Sequence, residues 1–389
     1  MKRSQFAAGA AALSMLLALL SSERAHAGDG GALSAGSALL PRQVKILAGG
    51  DVTLGNHLPE WFEELRGKEG YSEGQLLAYP FEKLQPLRDR VDLFWVNLEG
   101  TLTASAQKTE KNFNFKAAPA DVAILKAGRV DVAHLANNHL YDFGPQGTVD
   151  TRAAVLGAGI AAYGAGSDMA EARKPAVLER NGIRIGFLGY LFMGDNTIEP
   201  EALYAGPAKP GVAGTHRDVA TLEAWVREDI RALRPRVDFV FTSFHWGREG
   251  RNLTEPYQRQ LARAAVEAGA DMVVGHHPHV LQGFERIGEV PVAYSLGNLM
   301  FAGNWNPKRK DAVLLEITVG LGPAGSRSLA TRFIPVSVDR QPGRPFQPWP
   351  YAESEAERVE YLIGCYLWAK EEGACEQAAR PTPAPAPAH

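Results

Sequence analysis

Residues 273–280 read VVGHHPHV, and three of the chain's 10 His fall in this octapeptide, directly after an apolar run. Imidazoles crowded together lose hydration when buried and repel one another when charged. Coordination of a divalent ion removes both penalties, because neutral imidazole is a preferred ligand of Zn, Mn or Fe. Metal binding is therefore the chemistry this spacing suggests. It needs further nitrogen and oxygen donors from elsewhere in the chain.

Such donors recur where apolar runs end. Asp51 follows Gly49-Gly50, Glu99 follows Asn97-Leu98, and His139 follows Asn137-Asn138. His245 opens HWGRE, His276, His277 and His279 surround Pro278, and Asn298 closes YSLGN. Each has a plainer explanation in isolation. Asp51 suits a turn or cap, and Asn-Asn-His suits a loop. A lone His245 is most simply a half-buried imidazole satisfied by one hydrogen bond. The joint pattern is harder to explain that way, since six run ends offer Asp, Glu, Asn and His in turn.

The apolar runs themselves read as strands at 44–50, 92–99, 130–136, 183–190, 237–244, 271–275, 292–297, 312–319 and 333–338. They are rich in Val, Ile and Phe and apolar on both faces, as in a sheet covered on both sides. Helical patterns fall at 80–90, 118–128, 145–159, 219–234 and 254–269. Thr254 reads as a cap for the last, with Pro256 in its first turn and Gly269 as its stop. The alternation predicts an α/β fold with a mixed or parallel sheet, whose strand ends carry the chemistry.

The segments GGDVTLG, NLEGTLT, ANNHLYDFG, HWGREG, GHHPHVLQG and YSLGNLMF, in this order, resemble the CapA/PgsA-type capsule synthesis proteins associated with poly-γ-glutamate. That family is similar to calcineurin-like metallophosphoesterases, and the resemblance covers about Val44 to Val338. It implies an α/β/β/α sandwich with mixed central sheets and a site for one or two divalent ions (Mn, Zn or Fe). The implied ligands are Asp51, Glu99 as the bridge, Asn138, His245, His277 and His279. His139 becomes the acid that protonates a leaving group, and Asp142, three residues on, a candidate to orient it. His276 falls outside the His-x-His frame and reads as a supporting residue. Thr53 stands where the phosphoesterase pattern has a metal-binding His, and Glu99 where it has Asp. Both departures agree with the capsule family and disagree with a standard two-metal phosphoesterase.

Lys116, Arg248 and Asn298 are candidates for binding an anionic polymer or phosphoester, although Lys116 and Arg248 are equally explained as solvated charge. With a formal net charge of -3 and no basic run, nothing suggests nucleic acid. Lys2 and Arg3 before an apolar stretch, then Ala25-His26-Ala27, predict a signal peptide over 1–27, with an uncleaved anchor as the alternative. The expected location is periplasmic or cell-surface. A flexible linker is expected over 28–43, the catalytic-type domain over 44–340, a C-terminal extension over 341–378, and a Pro/Ala-rich disordered tail over 379–389. Cys365 and Cys375 form either a short-loop disulfide or a pair of free thiols. Three functions fit: a metal-dependent hydrolase or transferase of capsule formation, a non-catalytic factor working within a membrane capsule-synthesis complex, and a secreted phosphatase.

Overall fold

A computed structural model describes residues 42–379, apart from 195–196, 306, 308, 340–342 and 372. The expected signal segment, nearly all of the linker and the tail beyond 379 lie outside the described residues. In chain order the strands of the two large sheets are β1 (Arg42–Thr53), β2 (Leu93–Leu98), β3 (Val132–His134), β4 (Ala161–Tyr163), β5 (Ala176–Arg180), β6 (Ile183–Phe192), β7 (Phe239–Trp246), β8 (Met272–His276), β9 (Phe284–Ile287), β10 (Val290–Ala293), β11 (Asn298–Phe301), β12 (Asp311–Leu321), β13 (Arg327–Ser337) and β14 (Trp349–Pro350). The longer helices are α1 (Leu58–Glu69), α2 (Gly144–Gly157), α3 (Val219–Leu233), α4 (Pro256–Ala268) and α5 (Glu353–Tyr366).

These strands form two large mixed sheets. The first runs β14-β13-β12-β1-β2-β3-β4, with β11 also paired to β1; the second runs β9-β10-β8-β7-β6-β5. Alternation along each strand sorts side chains between layers. In β1 and β2, Val44, Ile46, Ala48, Leu93 and Trp95 face the second sheet. Leu47, Phe94 and Val96 face the opposite way, toward α1. In β7, Phe239 and Phe241 face the first sheet, whereas Val240 and Phe244 meet α3 and α4. Three apolar clusters thus fill three interfaces, giving the expected α/β/β/α sandwich. Trp95 packs edge-on to Phe187 across the two sheets, with ring centroids 5.3 Å apart. Each such large buried side chain contributes roughly 1.5–3 kcal/mol.

Helix boundaries follow local chemistry. α3 buries Leu222, Val226, Ile230 and Leu233, one stripe of a 3.6-residue period, and Asp218 caps it by accepting from the Thr221 N–H at 2.9 Å. α4 ends at Gly269, in the left-handed region at φ 110°. Its cap is Glu255 rather than the expected Thr254, because the Gln258 side chain accepts from the Glu255 N–H at 2.7 Å. The helix expected over 80–90 is split into a 3-10 turn, Tyr79–Leu84, and a short helix, Gln85–Arg88. Pro80 and Pro86 remove backbone donors there. Two of the longer helices go beyond the sequence reading. α1 buries Leu58, Trp61 and Leu65. α5 docks Val359, Leu362, Ile363 and Tyr366 onto the inter-sheet cluster.

Cys365 and Cys375 form a disulfide, which settles the alternative left by the sequence. No helix among the described residues is long and apolar enough to cross a membrane. The disulfide closes a loop of sequence separation 10 at the end of α5. The double substitution Cys365→Ser/Cys375→Ser is expected to lower unfolding stability by about 2–3 kcal/mol. Urea denaturation of both proteins under non-reducing conditions checks it.

Candidate metal centre

The parallel strands β1, β2, β3, β7 and β8 all end at one edge of the sandwich. There the chain makes two unusual backbone choices. A Cβ at Gly50 would lie 1.8 Å from the Gly297 carbonyl oxygen, so a glycine is needed for the close approach of these two segments. The Asp51 N–H donates to that carbonyl at 3.1 Å, and Asn298 sits in register beside Asp51. His277 and His279 both lie in the left-handed region, at φ 96° and φ 56°. That is uncommon for residues with a Cβ, and such strain concentrates at functional sites. With Pro278 between them, this turn brings both rings to the same edge.

All six residues expected as ligands converge. Ligand atoms of Glu99, His245 and His277 lie within 4.8 Å of one another, and so do those of Asp51, Glu99 and His279. The two groups share Glu99. His279 Nδ1 is 3.2 Å from Asp51 Oδ2, and its Nε2 is 3.6 Å from Glu99 Oε1. Asn138 Oδ1 lies 2.9 Å from His245 Nε2. Asn97, which the sequence reading did not single out, holds both sides: its amide donates to Asp51 Oδ1 at 2.8 Å and lies 3.2 Å from His245 Nδ1. Asp51, Glu99 and His245 are fully buried, and the His279 side chain is 18% exposed toward the cleft. Both Glu99 carboxylate oxygens and His277 Nδ1 are buried without a hydrogen-bond partner among the described residues. Orphaned donors of this kind, nitrogen and oxygen together, fit a divalent cation.

The electrostatics agree. Burial pushes Glu99 well above the ordinary carboxylate value, reinforced by Asp51 and opposed by His279. Burial also raises Asp51, but the hydrogen bond and charge of His279 outweigh it, leaving Asp51 below its ordinary value. His279 is opposed by burial, yet Glu99 and Asp51 hold its pKa up at about 10. Burial drives His245 and His277 well below the usual imidazole value, which keeps them neutral. His276, buried beneath Asp51 at 3.6 Å, is pushed down to about 4 by burial, against the pull of Asp51.

His139 sits beside this cluster. Its Nδ1 is 2.7 Å from Asp142 Oδ2, its ring stacks on Phe115 with centroids 4.0 Å apart, and its Nε2 is 3.8 Å from Glu99 Oε1. Asp142 is fixed in turn by the Phe115 N–H at 2.6 Å and by Lys111 at 2.9 Å. The Lys111 ammonium also donates to the Asn138 carbonyl at 2.9 Å and pairs with Glu199 at 3.1 Å. Glu199 accepts from the Asn138 amide at 3.0 Å, which turns Asn138 Oδ1 toward His245. Lys111 and Glu199 come from loops 88 residues apart, and no local pattern marks either.

The residues expected to bind substrate divide. Asn298 Oδ1 accepts from His279 Nδ1 at 2.9 Å and lines the cleft. Arg248 is exposed on the loop after β7. The Lys116 ammonium instead donates to the Ser105 carbonyl at 2.6 Å and lies over the Phe143 ring. Thr53 is buried and its hydroxyl donates to the Glu99 carbonyl at 2.9 Å. The cleft, about 440 Å³, is lined by Phe113, Phe115, His139, Glu249, His279 and Arg309 among others.

Residues 45–303 match the family described as Bacterial capsule synthesis protein PGA_cap. The chain is 31% identical over 275 residues to the capsule biosynthesis protein CapA of Bacillus anthracis, covering 69% of this chain and 62% of that protein, so it spans under two thirds of that relative. It is 32% identical over 333 residues to a Mycobacterium tuberculosis protein named for an accessory role in polyglutamine synthesis, covering 77% of this chain and 86% of that one. Among solved structures, a phosphatase from Mycoplasma pneumoniae superposes with TM-score 0.43 at 13% identity, covering 77% of this chain and 95% of that chain.

A ligand imidazole must be unprotonated, so cation binding has to displace the proton that Asp51 and Glu99 hold on His279. Calorimetric titration with Mn(II) at pH 7.5, in buffers of differing ionisation heat, is expected to show release of about one to two protons per ion bound. The release declines as pH approaches about 10, where His279 gives up its own proton. His279→Ala is expected to reduce the release by about one.

Proposed function

The chain belongs to the bacterial capsule synthesis protein family, and from that premise we propose that it is an exported, metal-dependent hydrolase of an anionic substrate in capsule, or poly-γ-glutamate, formation. The observation that carries this reading is the pairing of a cation-type donor cluster with His139, an imidazole braced by Asp142 at the edge of the same cleft. Asp51, Glu99, Asn138, His245, His277 and His279 would hold one or two ions of the Mn, Zn or Fe class. The bound ion would acidify water toward a pKa of roughly 7 and neutralise an anionic substrate.

The chain's own residues do the rest. Asp142 accepts at His139 Nδ1 and so fixes the ring with Nε2 directed at the cleft side. Burial lowers the His139 pKa and Asp142 raises it again, with a net shift downward. An anion docked beside Nε2 favours the imidazolium, so substrate arrival loads the proton that a leaving group takes. Phe115, stacked on the ring, excludes water from one face. Lys111 and Glu199 tie the His139–Asp142 pair to Asn138, so acid and ligand keep a fixed relation.

Export is supported by the disulfide, a bond that persists in oxidising compartments, and by the signal-like segment 1–27. The periplasm or cell surface is thus the proposed location, and a membrane capsule-synthesis complex the proposed setting.

With Mn(II) supplied, the protein is expected to hydrolyse bis(p-nitrophenyl) phosphate. His139→Ala should lower kcat by about 10²–10⁴ while metal content, measured by elemental analysis, stays unchanged. Metal retention with no turnover on this diester or on poly-γ-glutamate, in the unaltered protein, would point to a non-catalytic assembly or export factor.

A further inference from the structure

At the position where the phosphoesterase pattern has a ligand His, Thr53 donates a hydrogen bond from its hydroxyl to the Glu99 carbonyl. A third cluster supplies a further donor. Ligand atoms of Glu249, His277 and His279 also lie within 4.8 Å of one another. Glu249 lines the cleft, so its carboxylate approaches the two imidazoles from the solvent side.

The loop carrying Glu249 is held against the His turn. Gly250 donates to the Pro278 carbonyl at 2.8 Å, from between the two His positions. Gly247 donates its N–H to the Tyr257 hydroxyl at 2.8 Å, and that hydroxyl returns a bond to the Gly247 carbonyl at 3.1 Å. Gly247 and Gly250 have φ 90° and 71°, left-handed values that let the loop fold back within five residues of His245. Glu249 is thereby carried over the His turn by main-chain bonds.

We propose that Glu249 is a direct ligand of a cleft-side cation, together with His277 and His279. This rests on the metal-dependent reading above.

The test is calorimetric titration of the metal-stripped mature protein with MnCl₂, comparing wild type with Glu249→Gln and Glu249→Ala. Because Glu249 is exposed, the stripped variants should melt with wild type, so lost affinity is not lost folding. Removal of a ligand is expected to weaken one ion by about tenfold or more. Where wild type binds two ions, the exchange-coupled Mn(II) pair signal in electron paramagnetic resonance should vanish from the variants at equimolar metal. A smaller loss of affinity in both variants would overturn the role of Glu249. Uptake of no Mn(II), Zn(II) or Fe(II) by wild type would fell the metal-dependent reading itself, and this inference with it.

Discussion

A fully buried carboxylate with no hydrogen-bond donor to either oxygen among the described residues is the constraint around which this molecule is arranged. Glu99 occupies that position at the end of β2. An isolated buried charge costs so much that such a group neutralises or finds a counter-charge. His279, held protonated, supplies one counter-charge, and a divalent ion would supply a stronger one. The other neighbours then make sense. His245 and His277 are kept neutral by burial, as ligands must be. Asn97 and Asn138 contribute polar groups that satisfy neighbours without adding charge. Gly50 and the left-handed turn at His277 and His279 accept backbone conformations or contacts that most residues would avoid, and they do so where the donors meet.

Much of this was legible in the sequence because strand ends are local features. A run of Val, Ile and Phe that stops at Asp51, or at Glu99, declares both the strand and the polar group that follows it. The sandwich was less direct. Period-two alternation in β1, β2 and β7 assigns residues to faces, but the pairing of two sheets came from family resemblance. α1 was missed because its apolar positions, Leu58, Trp61 and Leu65, are few and follow a glycine-containing turn. Thr254 was a reasonable cap by type, but Glu255 with Gln258 makes the reciprocal bond one residue later.

The polar residues that surround the donors were less visible. Lys116 looked suited to an anion, yet its ammonium is directed to Ser105 and Phe143. Lys111 does what no pattern announces. It bridges Asp142, Glu199 and a carbonyl, and the pairs join loops distant in sequence. Glu249 stood inside HWGREG, four residues after His245, but its side chain gains meaning only when Pro278 is found against the same loop. Contacts made by irregular backbone depend on tertiary placement, and composition carries no trace of them.

The donors are divided between the two sheets. Asp51 lies near the end of a strand of the first and Glu99 and Asn138 follow others, whereas His245 lies near the end of a strand of the second and His277 and His279 follow its neighbour. An ion gripped by both would rivet the sandwich at one rim, coupling the spacing of the two halves to occupancy. The aromatic packing of Trp95 against Phe187, deep between the layers, and edge-on to His276 beneath Asp51, therefore sets the gauge of that rim. A change in that interior contact would also change the bite of the site above it.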